Sequence, residues 1–240
     1  MGDDRQPAPR EPSPTGFLLV EKPPGVTSHD VVVIVRRTLG VRRVGHTGTL
    51  DPMAQGLLIL LIGTATKQQQ AWQGHEKIYE ATLQLGVQTD TGDATGQPVR
   101  TMSVPMLDNA RVEAVLASFC GPLVHTPPAY SAVKIQGRPA YWWARRQQPQ
   151  VLAPRTITIM ALTLLDLTST TITFRVHCSA GTYVRTLGEL IAERVGTVGH
   201  LMKLVRVRIG SWDLTQAIPL AELQRATSSA LLQKLRPVPP

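Results

Sequence analysis

The sequence predicts an α+β fold built on a mixed, mainly antiparallel central sheet flanked by helices and loops. Three observations carry this. Residues 77–86 alternate, with Ile78, Glu80, Thr82 and Gln84 set against Tyr79, Ala81, Leu83 and Leu85, the period of a strand with one buried face. Residues 155–167 and 170–178 read as an antiparallel pair joined by a polar turn. Helical stretches fall between strands without the regular strand–helix–strand alternation of a parallel sheet. No GxGxxG or Walker-type loop occurs, so no nucleotide cofactor is expected.

Taken in order, residues 1–15 hold four prolines and two early aspartates and lack the apolar segment of a signal peptide. They are expected to form a disordered tail, leaving one folded domain over residues 16–240. Gly16 to Val20 reads as a short strand ending at Glu21-Lys22-Pro23-Pro24-Gly25. Thr27-Ser28-His29-Asp30 fits a capping box and predicts a helix to about Leu39, with Gly40 as its stop. The β-branched run Val31 to Val35 also permits a strand, but the cap and the Arg36-Arg37 pair in the last turn favour the helix.

Leu57 to Ile62 is apolar throughout, as in a buried strand, and Thr64 to Gln73 should form a short helix. Residues 89–96 form a polar loop whose aspartates lack the third acidic position and terminal glutamate of a calcium loop, so no metal is expected there. Leu107 to Phe119 has helical periodicity, with Val112, Val115, Leu116 and Phe119 on one face. Residues 121–151 are rich in proline, aromatic and basic residues. A helix follows the glycine turn at Gly181 and runs to Val195, Leu201 to Ile209 is a basic strand, and Ala217 to Leu235 a last amphipathic helix. No internal repeat is present.

Hydrophobic residues make up 42% of the chain, enough for a sizeable core. No apolar run approaches the roughly 18 residues that span a bilayer. The cysteines, Cys120 and Cys178, are far apart and outside any CxxC or Cys/His cluster, which argues against a disulfide framework or structural zinc and fits a reducing cytoplasm. Charge is asymmetric. Residues 1–100 balance, and the whole net charge of +8 lies in residues 101–240. No acid occurs between Glu113 and Asp166, whereas Lys134, Arg138, Arg145, Arg146 and Arg155 do. Such a field suits a polyanion, because cations that neutralise phosphates release counterions; an ordinary solvated basic surface is the alternative.

Three stretches carry candidate chemistry. Gly45 to Gly56 packs glycines, His46 and Asp51 into twelve residues ahead of the apolar strand. Glycines at this density serve where backbone takes positive φ or approaches a ligand, and Asp51, before Pro52, is driven out of helical geometry. The stretch therefore presents a carboxylate on a braced loop, or is simply an Asp-Pro turn. His125 to Arg146 interleaves Tyr130, Lys134, Arg138, Tyr141, Trp142, Trp143, Arg145 and Arg146. Rings that stack on unpaired bases beside cations that hold phosphates suit RNA loops; the alternative places the tryptophans in the core. In Cys178 to Thr186, Arg185 follows a glycine at a helix start, where it can meet a carboxylate with two donors or face solvent.

In order and spacing these pieces resemble the TruB-type tRNA pseudouridine synthases over about residues 16–210. The resemblance rests on Lys22-Pro23-Pro24-Gly25, Gly45-His46-Thr47-Gly48-Thr49-Leu50-Asp51-Pro52, Lys77-Ile78-Tyr79, Thr89-Asp90-Thr91-Gly92-Asp93, Pro127-Pro128-Ala129-Tyr130-Ser131-Ala132 and Gly181-Thr182-Tyr183-Val184-Arg185-Thr186.

The resemblance implies a pseudouridine synthase fold and the isomerisation of uridine 55 in the tRNA T loop, without guide RNA, after the base is flipped out. Asp51 matches the carboxylate that attacks or stabilises the sugar, Arg185 the arginine that pairs with it, and Tyr79 the tyrosine that packs on the base and serves in proton transfer. Lys22, Leu204 and Asp93 match further pocket residues, and His46 the histidine that fills the space the flipped bases leave. Residues 125–150, with Tyr130, Lys134 and Arg138, resemble the family's RNA-gripping loop. No metal, nucleotide or redox cofactor is implied, nor a protein partner or membrane, and a cytoplasmic monomer is expected. Relatives often carry a C-terminal PUA domain; about thirty residues follow Gly210, too few for one, so reduced acceptor-stem contacts are expected. Two rival readings are a non-catalytic tRNA-binding or folding factor, which needs only the basic segment and His46, and a general single-strand RNA binder.

Overall fold

The computed structural model describes residues 14–239, so nearly all of the expected tail lies outside the described residues. The chain runs β1 (Gly16–Lys22), α1 (Ser28–Leu39), β2 (Val44–His46) and β3 (Gln55–Ile62), then a 3₁₀ turn (Gly63–Gln68) into α2 (Gln69–Gln73). Next come β4 (Lys77–Leu85), β5 (Val87–Thr89), β6 (Pro98–Thr101), α3 (Asn109–Ala117), β7 (Gly121–His125), β8 (Lys134–Ile135), β9 (Arg138–Pro139) and α4 (Ala140–Ala144). The chain continues with β10 (Arg155–Leu167), β11 (Thr171–Cys178), α5 (Val184–Val195), β12 (Gly199–Ile209), β13 (Trp212–Asp213), a 3₁₀ turn (Leu214–Gln216), β14 (Ile218–Pro219), α6 (Leu220–Arg225) and α7 (Ser228–Gln233).

One large sheet has the order β14-β1-β3-β12-β4-β11-β10-β7, with β2 added to β3 and β13 to β12. Its pairs are antiparallel except β1 with β14 and β3 with β12. β3 is buried on both faces. Leu58, Leu60 and Ile62 pack with Val31, Val35, Leu223 and Leu231 beneath α1, α6 and α7, while Leu57, Ile59 and Leu61 pack with Phe17 and Trp72. Two covered faces explain why its sequence is an apolar run rather than an alternation. β4, by contrast, buries Lys77, Tyr79, Ala81, Leu83 and Leu85 and leaves the intervening residues half-buried. Its inner face joins Phe174, Val176, Leu187, Ile191, Val112 and Leu116 in a second core under α3 and α5.

Local signals explain α1. Thr27 Oγ1 accepts from the Asp30 amide at 3.1 Å and Asp30 accepts from the Thr27 amide at 2.8 Å, and Gly40 closes the helix at φ 65°.

One expectation is corrected. The predicted helix over 217–235 is instead β14, α6 and α7. Pro219 disfavours helical geometry at Ile218, which pairs with Val20 of β1. Ala226 and Thr227 are extended, and Thr227 starts α7 by accepting from the Ala230 amide at 3.2 Å. The stretch 121–151, marked in the sequence by its composition, carries regular elements. It opens with β7, paired to β10 from His125 to Gly121, and contains the β8–β9 hairpin and α4. Pro122 is compatible with β7 because that strand ends the sheet order and needs donors on one side only. Among the described residues no helix is long and apolar enough to cross a membrane.

Candidate active site

Asp51 lies on the loop between β2 and β3, and that loop is tied down from several directions. Ser28 Oγ, at the start of α1, accepts from the Leu50 amide at 2.9 Å and donates to the Leu50 carbonyl at 3.1 Å. The Gly25 amide donates to Pro52 O at 2.8 Å. Lys22 at the end of β1 is 0% exposed, and its Nζ donates to Pro23 O (2.9 Å), Val26 O (2.8 Å) and Pro52 O (3.4 Å). Burial pushes this lysine down to about 8, against the opposing pull of Asp51.

Arg185, in the first turn of α5, reaches the same loop. Its Nε donates to Asp51 Oδ2 at 2.8 Å and its Nη2 to Asp51 Oδ1 at 3.2 Å. Nη1 donates to Thr91 O and Nη2 also to Tyr130 O, both at 2.7 Å. Arg185 is 3% exposed, whereas Asp51 is 31% exposed, so the fork is buried and one side of the carboxylate remains open. Two parallel N–H···O⁻ bonds fix the carboxylate plane as well as its place.

That open side faces a cavity of about 320 Å³ walled by Thr47 to Asp51, Lys77, Tyr79, residues 131–133, residues 181–185, Leu204 and Arg206. Tyr79 rises from β4, and burial raises its hydroxyl pKa. Leu204 projects from neighbouring β12 and is 5% exposed. Burial also pushes Lys77 down to about 8. The hydroxyls of Thr47 and Ser131 have no hydrogen-bond partner among the described residues.

The structure thus gathers Asp51, Tyr79, Arg185 and Leu204 on one cavity. Lys22 stands behind the loop rather than on the cavity wall. Asp93 also stands behind, 5% exposed, with Oδ2 3.8 Å from Arg185 Nε. Its Oδ1 accepts from Thr91 Oγ1 (2.9 Å), the Thr95 amide (3.0 Å) and Thr95 Oγ1 (2.6 Å), closing the turn whose Thr91 carbonyl holds Arg185. His46 ends β2, outside the cavity wall, with burial lowering its pKa. Tyr130 contributes its carbonyl to Arg185, while Lys134 and Arg138 are exposed on the β8–β9 hairpin beside the cavity. Arg138 and Arg146 lie against Trp142, with Cζ 5.4 and 3.7 Å from its ring, and Arg145 lies 5.4 Å from Tyr141.

Sequence reasoning passed over Lys77 and Arg206, both on the cavity wall. In an alternating basic strand an arginine reads as surface, and only the position of Lys77 beside Tyr79 hinted otherwise. Among the described residues no group of three or more His, Cys, Asp and Glu side chains stands together to hold a metal.

This sheet and site define a pseudouridine synthase fold. The chain superposes with a TM-score of 0.68 and 28% identity on a chain of a Cbf5–Nop10–Gar1 complex, and with 0.67 and 25% on one of an archaeal box H/ACA sRNP Nop10–Cbf5 complex. The matches cover 87% and 92% of this chain but only 53% and 59% of those chains, so it spans little more than half their length. Residues 36–184 match the TruB family pseudouridylate synthase (N terminal domain). Over 223 residues the chain is 46% identical to tRNA pseudouridine synthase B of Burkholderia pseudomallei (strain 668), and over 220 residues 45% identical to that of Hydrogenovibrio crunogenus. These alignments cover 93% and 92% of this chain and 74% and 72% of the relatives. The chain belongs to the TruB family of pseudouridylate synthases.

Proposed function

We propose that this enzyme converts uridine 55 in the T loop of tRNA to pseudouridine, acting without guide RNA. The observation that carries this reading is the Arg185 fork on Asp51, which leaves one face of an oriented carboxylate open to a cavity walled by Tyr79 and Leu204. The similarity to relatives named tRNA pseudouridine synthase B supports tRNA as the substrate.

The reaction exchanges an N1–C1′ bond for a C5–C1′ bond, so the base must leave the stack, detach, turn and rejoin the same sugar. A flipped uridine enters the cavity with its ring against Tyr79 and Leu204. Asp51 acts at the sugar as nucleophile or as the charge that stabilises the opened centre, as carboxylates do in retaining glycosidases. Tyr79 moves the proton released from C5. Arg185 keeps the carboxylate aimed and joins it to the turns bearing Thr91 and Tyr130. The hairpin, α4 and the turn after it, with Lys134, Arg138, Arg145 and Arg146, grip the RNA backbone.

Purified protein is incubated with an unmodified tRNA transcript and pseudouridine is mapped. Product at the T-loop uridine alone is expected. Asp51→Asn should fold and bind the T arm yet form none, and turnover by that variant would sink the assignment. Equal binding of an unstructured oligonucleotide and the T stem-loop would favour a general single-strand binder instead.

A further inference from the structure

Among the described residues Arg206 is one of the largest fully buried side chains, at 1% exposure. Its backbone lies opposite Gly56 of β3 on one side and Tyr79 of β4 on the other. Its guanidinium reaches under the Asp51 loop: Nε donates to Leu57 O at 2.7 Å, Nη2 to Gly48 O at 3.1 Å, and Nη1 makes a long contact to Thr49 O at 3.5 Å. It also shares the cavity wall with Tyr79, its register partner on β4. Among the described residues no carboxylate lies within 4 Å of it.

A buried cation without an acid partner is costly, and an apolar side chain would fill a central strand at lower cost. The arginine therefore supplies something that packing does not. It touches both the loop bearing Asp51 and the strand that follows that loop, and it lies across the sheet from Tyr79.

We propose that Arg206 is a positioning residue for the reaction: a single guanidinium that holds the Asp51 loop at a fixed distance from the Tyr79 hydroxyl. This rests on the roles given above to Asp51 and Tyr79. The arrangement has an electrostatic side. Arg206, Cys178 and Asp51 are the charged or titratable groups acting on Tyr79; burial raises its pKa most, and Arg206 is the leading influence against that rise. The same charge opposes protonation of Lys77 on the cavity wall and of Lys22 and His46 outside it. A guanidinium here thus favours release of the Tyr79 proton while leaving neighbouring bases less charged.

The test uses Arg206→Lys, which keeps the charge but loses the three-carbonyl reach, and Arg206→Met, which loses both. Single-turnover pseudouridine formation, T-arm affinity and an ultraviolet phenolate titration are measured, with Tyr79→Phe identifying the Tyr79 signal. Arg206→Lys should lose about tenfold to a hundredfold in rate, the scale of a displacement of order 1 Å, with T-arm affinity kept. Arg206→Met should move the Tyr79 titration to higher pH; if it does not fold, the Arg206→Lys rate and titration decide. Parental rates in Arg206→Lys would overturn the proposal, as would a loss of rate matched by an equal loss of affinity. Failure of the parent protein to form pseudouridine would instead strike the underlying assignment.

Discussion

Arg185 holds both oxygens of Asp51, and each of its terminal nitrogens also holds a backbone carbonyl, of Thr91 or of Tyr130. The carboxylate is aimed by one planar group anchored at two further points. Lysine carries the charge but not the fork. Arg185→Lys should therefore lose about a hundredfold or more in single-turnover pseudouridine formation while T-arm binding persists. Full activity would show that charge alone suffices.

Gly56 marks where the first and last parts of the sheet meet. A Cβ there would lie 2.3 Å from Arg206 O and 2.7 Å from Arg206 N, at a φ of +113°. Both backbone conformation and contact exclude a side chain. Gly56→Ala should destabilise the protein by about 3 kcal/mol or more, read from the midpoint of denaturant unfolding.

Lys77 gives a prediction with a definite sign. Folding lowers its pKa from 10.5 to about 8 through burial. Between those values the unfolded chain binds the proton that the folded chain has released, so this lysine's contribution to stability rises with pH across that window. Below about pH 8 it is a constant penalty. The stability of the parent relative to Lys77→Met should rise from pH 8 to pH 10; a flat difference would place the Lys77 amine in contact with water.

Arg138 and Arg146 both lie against Trp142, so the ring orders two cations, one on the exposed hairpin and one in the turn after α4. Replacing either by Ala should weaken tRNA binding and reduce the slope of log affinity against log salt by about 1. Trp142→Ala should weaken binding without that loss of slope, since it removes no charge.

What the sequence disclosed follows a physical divide. The Thr27–Asp30 cap, the apolar β3 run, the β4 alternation and the β10–β11 pair are local patterns, and the structure contains each one. The break at Pro219 was local too, but helical periodicity on either side obscured it. Arg206 was hidden for another reason. Its acceptors are the carbonyls of Gly48, Thr49 and Leu57, roughly 150 residues earlier, and no side-chain identity marks a carbonyl as an acceptor. Lys22 was noticed only through resemblance to relatives, because its burial depends on the distant Pro52 turn. For Asp51, glycine, proline and the adjoining strand announce a constrained loop but leave a presented carboxylate and a plain turn both open, and only the resemblance to relatives separates them.

The position of β12 between β3 and β4 has a consequence for the chain as it is made. During synthesis β3 and β4 emerge long before the strand that joins them; β4 meanwhile presents an open row of amides and carbonyls, and β3 an open end at Gln55 and Gly56 beyond its pairing with β2. Those edges are templates for mispairing until residue 209 is free of the ribosome. Bringing Arg206 to Leu57 closes a loop of 149 residues, an entropic toll that puts this step late and makes it slow. The cavity beside Asp51 takes shape only when that strand slots in, so a partly synthesised chain has no seat for a nucleotide.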